Sequence, residues 1–302
     1  MIEIDDFGKV TQLKMYRIFF GRPAHLTACY YVDGLLIDTG GPVVADEIEA
    51  AFSSLPVHTI VNTHHHKDHI GNNIVFQSRL LVGPALAHRI AVPYITNPET
   101  WAANMRPYRQ LANGIPPPSE ARAIGSEVGT DSYSFQVIHT PGHTDGHISL
   151  FEPTQGWLFT GDMFISEQIQ TMHCEEDVYK MIDSLNRLLQ YDFKTLFCAS
   201  GRVVDNARDA VMAKSLYLED LGERVRDLDR RGIPPEEIRS QLLGEEGFLN
   251  KVSEGEWGKI NLVRSYLRSA NQVAPLPPEN PGVGIASGRV RSLLTQKDES
   301  AR

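Results

Sequence analysis

Short apolar, β-prone stretches over residues 16–20, 28–32 and 35–37 open the chain's hydrophobic pattern and predict three antiparallel strands. Asp33-Gly34, between the last two, is a two-residue hairpin turn. Asp38-Thr39-Gly40-Gly41-Pro42 then turns the chain into a helix over 43–52, where apolar residues recur at helical spacing. Residues 57–62 predict another strand, 70–76 a helix and 80–82 a short strand. Strand character returns at 133–139, 148–151, 157–160 and 195–198. A helix over 178–189 carries its apolar stripe on Val178, Met181, Ile182, Leu185, Leu188 and Leu189.

Two regions depart from this rhythm. Residues 84–125 mix helical character with Pro93, Pro98, Pro107 and Pro116-Pro117-Pro118, as an inserted lid or binding loop does. Its Tyr94, Trp101 and Tyr108 are candidates for a substrate pocket, and satellite packing explains them equally well. From about residue 206 the pattern is helical: Val211, Leu218, Leu221, Val225 and Leu228 mark a long amphipathic helix ending at Gly232 and Pro234-Pro235. A short helix over 236–243 and a third along Trp257, Ile260, Val263 and Leu267 follow. The expected division is 1–205, a helical extension over 206–272, and a disordered tail over 273–302 that is rich in Pro, Gly, Ser and charge. The apolar stripes of the extension call for burial, on their own core or in a homodimer.

Composition narrows the function classes. The chain has 302 residues, 41% hydrophobic and 22% charged, with 29 basic against 38 acidic side chains and a net charge of −9. That balance offers no clustered basic surface for nucleic acid or an anionic membrane, so neither partner is expected. The three cysteines (Cys29, Cys174 and Cys198) have no CxxC spacing and predict reduced thiols. No apolar h-region opens the chain and no eighteen apolar residues run together, so the expected location is cytoplasmic.

The chemistry concentrates at strand ends. Thr63-His64-His65-His66-Lys67-Asp68-His69 follows the strand over 57–62. Two residues apart on a turning segment, His64 and His66 point the same way. Asp68 and His69 come next, where the chain turns into a helix. Four ligand-type residues within six positions indicate metal binding, and imidazole with carboxylate suits zinc, iron, manganese or cobalt. Thr140-Pro141-Gly142-His143-Thr144-Asp145-Gly146-His147 follows a second strand, and its Pro-Gly turn throws His143 outward. His147 can orient a ligand from behind. Phe159-Thr160-Gly161-Asp162 delivers a carboxylate at a third strand end.

In this order the motifs resemble those of the metallo-β-lactamase-fold superfamily, over roughly residues 14–205. The HxHxDH signature stands at residues 64–69, with Gly71, His143, Asp162 and the early Asp38-Thr39-Gly40 turn also in place. The resemblance implies an α/β fold: an αββα sandwich of two mixed sheets flanked by helices, with a metal site at the sheet edges. It implies His64, His66 and His143 around a first ion, Asp68 and His69 around a second, and Asp162 between them. Members hydrolyse lactams, lactones, thioesters and phosphodiesters, and one branch oxidises a glutathione persulfide with iron.

One position departs from the family pattern. Where a late histidine is expected after the strand over 195–198, Ser200 stands, with Arg202 the other candidate for that slot. Neutral serine is a weak ligand and guanidinium is always protonated. The second ion is therefore expected to be weak or absent unless His173 substitutes. With one Zn2+, or with iron or manganese in its place, the main expectation is hydrolysis of a small thioester or lactone, with Asp68 as the catalytic acid–base group. The alternatives are a mononuclear non-haem iron dioxygenase acting on a thiol or persulfide, and a non-catalytic family member.

Overall fold

Alternate residues of a strand face opposite sides of its sheet, and this chain builds its layers from that rule. In the computed structural model, which describes residues 1–19, 22–53, 55–102 and 114–269, strands β1 (Ile2–Phe7), β2 (Val10–Phe19), β3 (Arg22–Val32), β4 (Leu35–Ile37), β5 (Thr59–Val61), β6 (Ala85–Ala87) and β7 (Ala121–Ala123) form one sheet in sequence order. The first four pair antiparallel, and β4 to β7 run parallel. The hairpin at Asp33-Gly34 has φ +47° and +83°, the doubly left-handed turn that its sequence requires.

The second sheet comprises β8 (Glu127–Gly129), β9 (Ser134–His139), β10 (Ile148–Glu152), β11 (Trp157–Phe159), β13 (Thr195–Phe197) and β14 (Val203–Val204), in the order 14-13-11-10-9-8. Strands β12 (Met172–His173) and β15 (Trp257–Gly258) form a separate two-stranded ribbon.

The two sheets share a core. Ala28, Tyr30, Leu35 and Ile37 face Phe135, Leu150, Phe159 and Phe197. Their alternating neighbours go outward. Leu13, Cys29 and Leu36 pack under Ile48, Phe52 and Phe76 of the helices Ala45–Phe52 and Asn73–Ser78. Phe151, Leu158 and Leu196 pack under the helices Val178–Leu188 and Ala207–Arg230. Each such large side chain contributes roughly 1.5–3 kcal/mol by leaving water. The result is the expected αββα sandwich.

Several expectations need correction. The run over 80–82 is not a strand: Leu81 has φ +57° and is 85% exposed, and the strand forms at Ala85–Ala87 instead. Strand β1 has little apolar alternation and is held by backbone pairing along β2. The region over 84–125 is only partly irregular, because it supplies β6, β7 and the helices Val92–Thr96 and Glu99–Ala102. Tyr108 lies outside the described residues. Met1–Ser269, the helices beyond 206 included, forms one compact unit. Their stripe residues Val211, Leu218, Leu221, Val225 and Leu228 are buried in the core that covers the second sheet. The expected tail over 273–302 also lies outside the described residues. Among the described residues, no helix is long and apolar enough to cross a membrane.

Candidate metal centre

Strands β4 and β5 run parallel, so Asp38 and the Thr63–His69 loop emerge at the same sheet edge. In the second sheet β9 and β11 both pair antiparallel with β10, and β13 runs parallel to β11, so the segments after β9, β11 and β13 share one edge. A hydrogen bond from Ile148 N to Thr63 O, 2.8 Å, stitches the two edges together. This topology gathers residues that are far apart in the chain.

His64, His66, His143 and Asp162 each bring one donor atom into a group in which all lie within 4.8 Å of one another. His143 Nε2 is 2.9 Å from His66 Nδ1 and 3.3 Å from Asp162 Oδ2, and His64 Nε2 is 3.9 Å from that same oxygen. The other carboxylate oxygen, Oδ1, lies 3.5 Å from His69 Nε2, which is 3.9 Å from Asp68 Oδ2. Asp162 therefore stands between two donor sets. The first has three imidazoles; the second has His69 and Asp68.

Surrounding groups aim these side chains. The Asp38 carboxylate accepts from Thr63 N and Thr63 Oγ1, both at 2.7 Å, and contacts His69 Nδ1 at 2.7 Å, which turns His69 Nε2 toward Asp162. Thr63 Oγ1 is 3.1 Å from His64 Nδ1, leaving Nε2 for the cluster. His147, expected to orient a ligand, accepts from the backbone N–H of Asp162 at 3.2 Å while its Nδ1 contacts Thr140 Oγ1. Gly161 has φ +50°, and a Cβ there would lie 2.7 Å from His147 Nε2 and 2.8 Å from Thr63 Oγ1. Only glycine lets the chain reach Asp162 by this route.

The electrostatics follow from burial and close packing. Burial, then the neighbouring His69 and His66, push His64 well below the ordinary histidine range, which leaves a neutral ring. Burial also opposes charge on His143, but the Glu176 and Asp162 carboxylates outweigh it and raise the group. For Asp162 burial works upward, and His69 and His143 overcome it, holding the carboxyl at about 2.

These residues fit a metal ion. His64 Nε2 is fully buried and has no hydrogen-bond partner, a costly state for an imidazole nitrogen unless a ligand meets it. Three imidazoles and a carboxylate are a donor set for zinc, iron or manganese.

The remaining candidates fall into place around this cluster. Tyr94 stacks on His65 with centroids 4.5 Å apart, Trp101 meets the same ring edge-on at 5.9 Å, and its Nε1 donates to Tyr94 O. His173 does not join the cluster. Its ring packs against Trp257 at 5.3 Å and its Nδ1 accepts from Glu175 N, because the β12–β15 ribbon holds it there. Ser200 Oγ lies 3.0 Å from Cys198 Sγ, and Arg202 pairs with Glu167 at 2.9 Å.

Three contributors were not singled out from the sequence. Asp38 was placed only as a turn, although a carboxylate at a strand end is a usable signal. Glu176 carries no local signal, since its contact with His143 Nδ1, at 2.5 Å, spans 33 positions. Lys214 belongs to a helical stripe, yet it is fully buried and its Nζ donates to Met163 O at 2.8 Å, beside Asp162.

Known proteins share this chain's sequence pattern and fold. The sequence profile of the metallo-beta-lactamase superfamily matches residues 22–200. A beta-lactamase-like protein 2 homolog of Caenorhabditis elegans is 26% identical over 78% of this chain and 73% of its own length. A hydroxyacylglutathione hydrolase of Thermosynechococcus vestitus is 33% identical over 46% of this chain; the match spans 48% of that relative. Among solved structures, a metallo-beta-lactamase family protein from Thermus thermophilus superposes with a TM-score of 0.66 at 18% identity, covering 89% of this chain and 96% of that one. The profile match spans more than half of the chain and takes in His64, His66, His143 and Asp162. The chain belongs to the metallo-beta-lactamase superfamily, as a hydrolase of that family.

Proposed function

We propose that this hydrolase acts on a small ester-like substrate, a thioester or a lactone, with one divalent ion held by His64, His66, His143 and Asp162. The convergence of four donors within 4.8 Å, one of them the unpartnered His64 Nε2, carries the proposal. The relatives named hydroxyacylglutathione hydrolase favour a thioester. Zinc is the expected ion, and iron or manganese suits the same donors. Such an ion supplies Lewis acidity, polarising a carbonyl and bringing the pKa of a water toward neutrality.

The protein's own groups do the rest. Asp68 receives the proton: its Oδ2 accepts from Thr27 Oγ1 at 3.2 Å and lies on the His69 side of Asp162. His65, Tyr94 and Trp101 form an aromatic wall beside His66 that seats the apolar part of the substrate. His69 and Asp68 bring one imidazole and one carboxylate to the other side of Asp162, fewer donors than the three imidazoles opposite, so a second ion is held more weakly. Ser200 is a poor replacement for the family's late histidine.

Metal quantification on protein purified without added metal, followed by assays on thioesters, lactones and phosphodiesters, tests the proposal. It expects about one ion per chain, and thioester or lactone hydrolysis that a chelator abolishes and zinc restores. Stoichiometric iron with oxygen uptake would instead establish an oxygenase. Activity that survives His64→Ala and Asp68→Ala would sink the metal-centred reading.

A further inference from the structure

We infer that Glu176 is a positioning residue for His143, and that the C-terminal helix Lys259–Ser269 holds it in place. The inference rests on reading the cluster as a metal centre. Glu176 and His143 are both buried, at 7% and 6% exposure, and Glu176 Oε1 lies 2.5 Å from His143 Nδ1. An ionised carboxylate only accepts, so the proton of this hydrogen bond sits on Nδ1. In the neutral ring, Nε2 is then left with its lone pair, directed into the group formed with His66 Nδ1 at 2.9 Å and Asp162 Oδ2 at 3.3 Å. The charge of Glu176 also makes that nitrogen a stronger donor.

The position of Glu176 is over-determined from two directions. On one side the chain runs straight into the His143 loop. Asp177 N donates to Gly142 O at 2.9 Å, and Gly142 has φ +136° with room for no Cβ, since one would lie 2.6 Å from Met181 N. The Asp177 side chain also caps the helix Val178–Leu188, accepting from Tyr179 N and Lys180 N. On the other side stands the helix Lys259–Ser269. Ser265 Oγ accepts from Val178 N at 3.0 Å and donates to Glu176 O at 3.3 Å, clipping the turn on both sides of Asp177. The second Glu176 oxygen accepts from His173 N at 3.2 Å, which fixes the carboxylate plane. The helical extension thus does more than cover the second sheet. It fixes the orientation of a ligand that the sheet edge supplies.

The test uses the full chain, with Zn2+ affinity from competition against a chromophoric chelator and the absorption spectrum of the Co2+-loaded protein. Glu176→Gln keeps the shape and an acceptor for His173 N but removes the charge and lets the amide donate. It is expected to weaken Zn2+ binding by about 10–100-fold and to shift the Co2+ bands, with the melting temperature held within a few degrees. Ser265→Ala, outside the cluster, is expected to weaken binding in the same direction by less. Glu176→Gln binding Zn2+ as tightly as the unsubstituted chain, with an unchanged Co2+ spectrum, would overturn the inference and leave the hydrolase proposal standing. Should Glu176→Gln fail to fold, Ser265→Ala decides: unchanged affinity and spectrum overturn the inference. An unsubstituted chain that binds neither ion overturns both, whereas one that binds zinc but cleaves no ester overturns only the proposed activity.

Discussion

The two sides of Asp162 are built from the same loop and are not equivalent. Its Oδ2 faces His143 at 3.3 Å and His64 at 3.9 Å, and with His66 these donors close into one group. Its Oδ1 faces His69 at 3.5 Å, with Asp68 a further 3.9 Å from that ring. Each side takes two donors from residues 64–69. The difference comes from elsewhere in the chain, because the segment after β9 adds His143 to the first side. The HxHxDH motif thus offers two half-sites, and distant strand ends determine which half is completed. Support differs too, since His143 is held by Glu176 and His69 by Asp38.

The sharpest way to break this comparison is His64→Ala or His143→Ala. Either is expected to remove bound metal and to lower kcat/KM by about 10⁴-fold or more, given how much metal activation of water supplies. Metal retained at wild-type stoichiometry in both variants would end the assignment of the richer side.

Next in size is Asp68→Asn on the poorer side. The expected loss is about 10²–10⁴-fold in kcat with metal content unchanged, the range of a general acid–base group. If metal content falls in parallel, Asp68 is a ligand and the asymmetry is smaller than the geometry indicates.

Ser200→His is designed to erase the difference. The substituted chain is expected to bind about two ions where the parent binds about one, read by elemental analysis. A stoichiometry that stays near one would mean that the segment after β13 does not reach the His69 side.

The smallest effect on turnover is expected from Lys214→Met, behind the residue that both sides share. Burial holds the Lys214 ammonium down at about 8, against 10.5 when exposed, so the folded chain releases this proton before the unfolded chain does. The burial cost is therefore present below pH 8 and is relieved as pH rises from 8 to 10.5, a gain of about 3 kcal/mol for the parent. Chemical denaturation across that window should show the gain in the parent and not in Lys214→Met. Equal slopes in both chains would show that Lys214 does not carry this dependence.

Much of the molecule was legible along the chain because its causes are local. Short apolar, β-prone runs placed the strands that carry the inter-sheet core residues Leu35, Ile37, Leu150 and Phe159, and the 3.6-residue stripe placed Val178–Leu188 to within a residue. Failures came where local pattern misled. The apolar run over 80–82 contains Leu81, which turns left-handed into solvent, and β1 is held by backbone pairing that no side-chain pattern announces. His173, a possible substitute ligand in a stretch read as a polar loop, is held against Trp257 by ribbon neighbours 84 and more positions away.

From the sequence alone came the ligand types, the strand ends that present them and the family's fold, because each depends on a few adjacent residues. Tertiary structure alone decided that Asp38 and Glu176 meet His69 and His143, and that the helix Lys259–Ser269 reaches Glu176. Those outcomes depend on which strand edges and helix ends meet in space. That is a property of packing between residues far apart in the chain, and no local pattern encodes it.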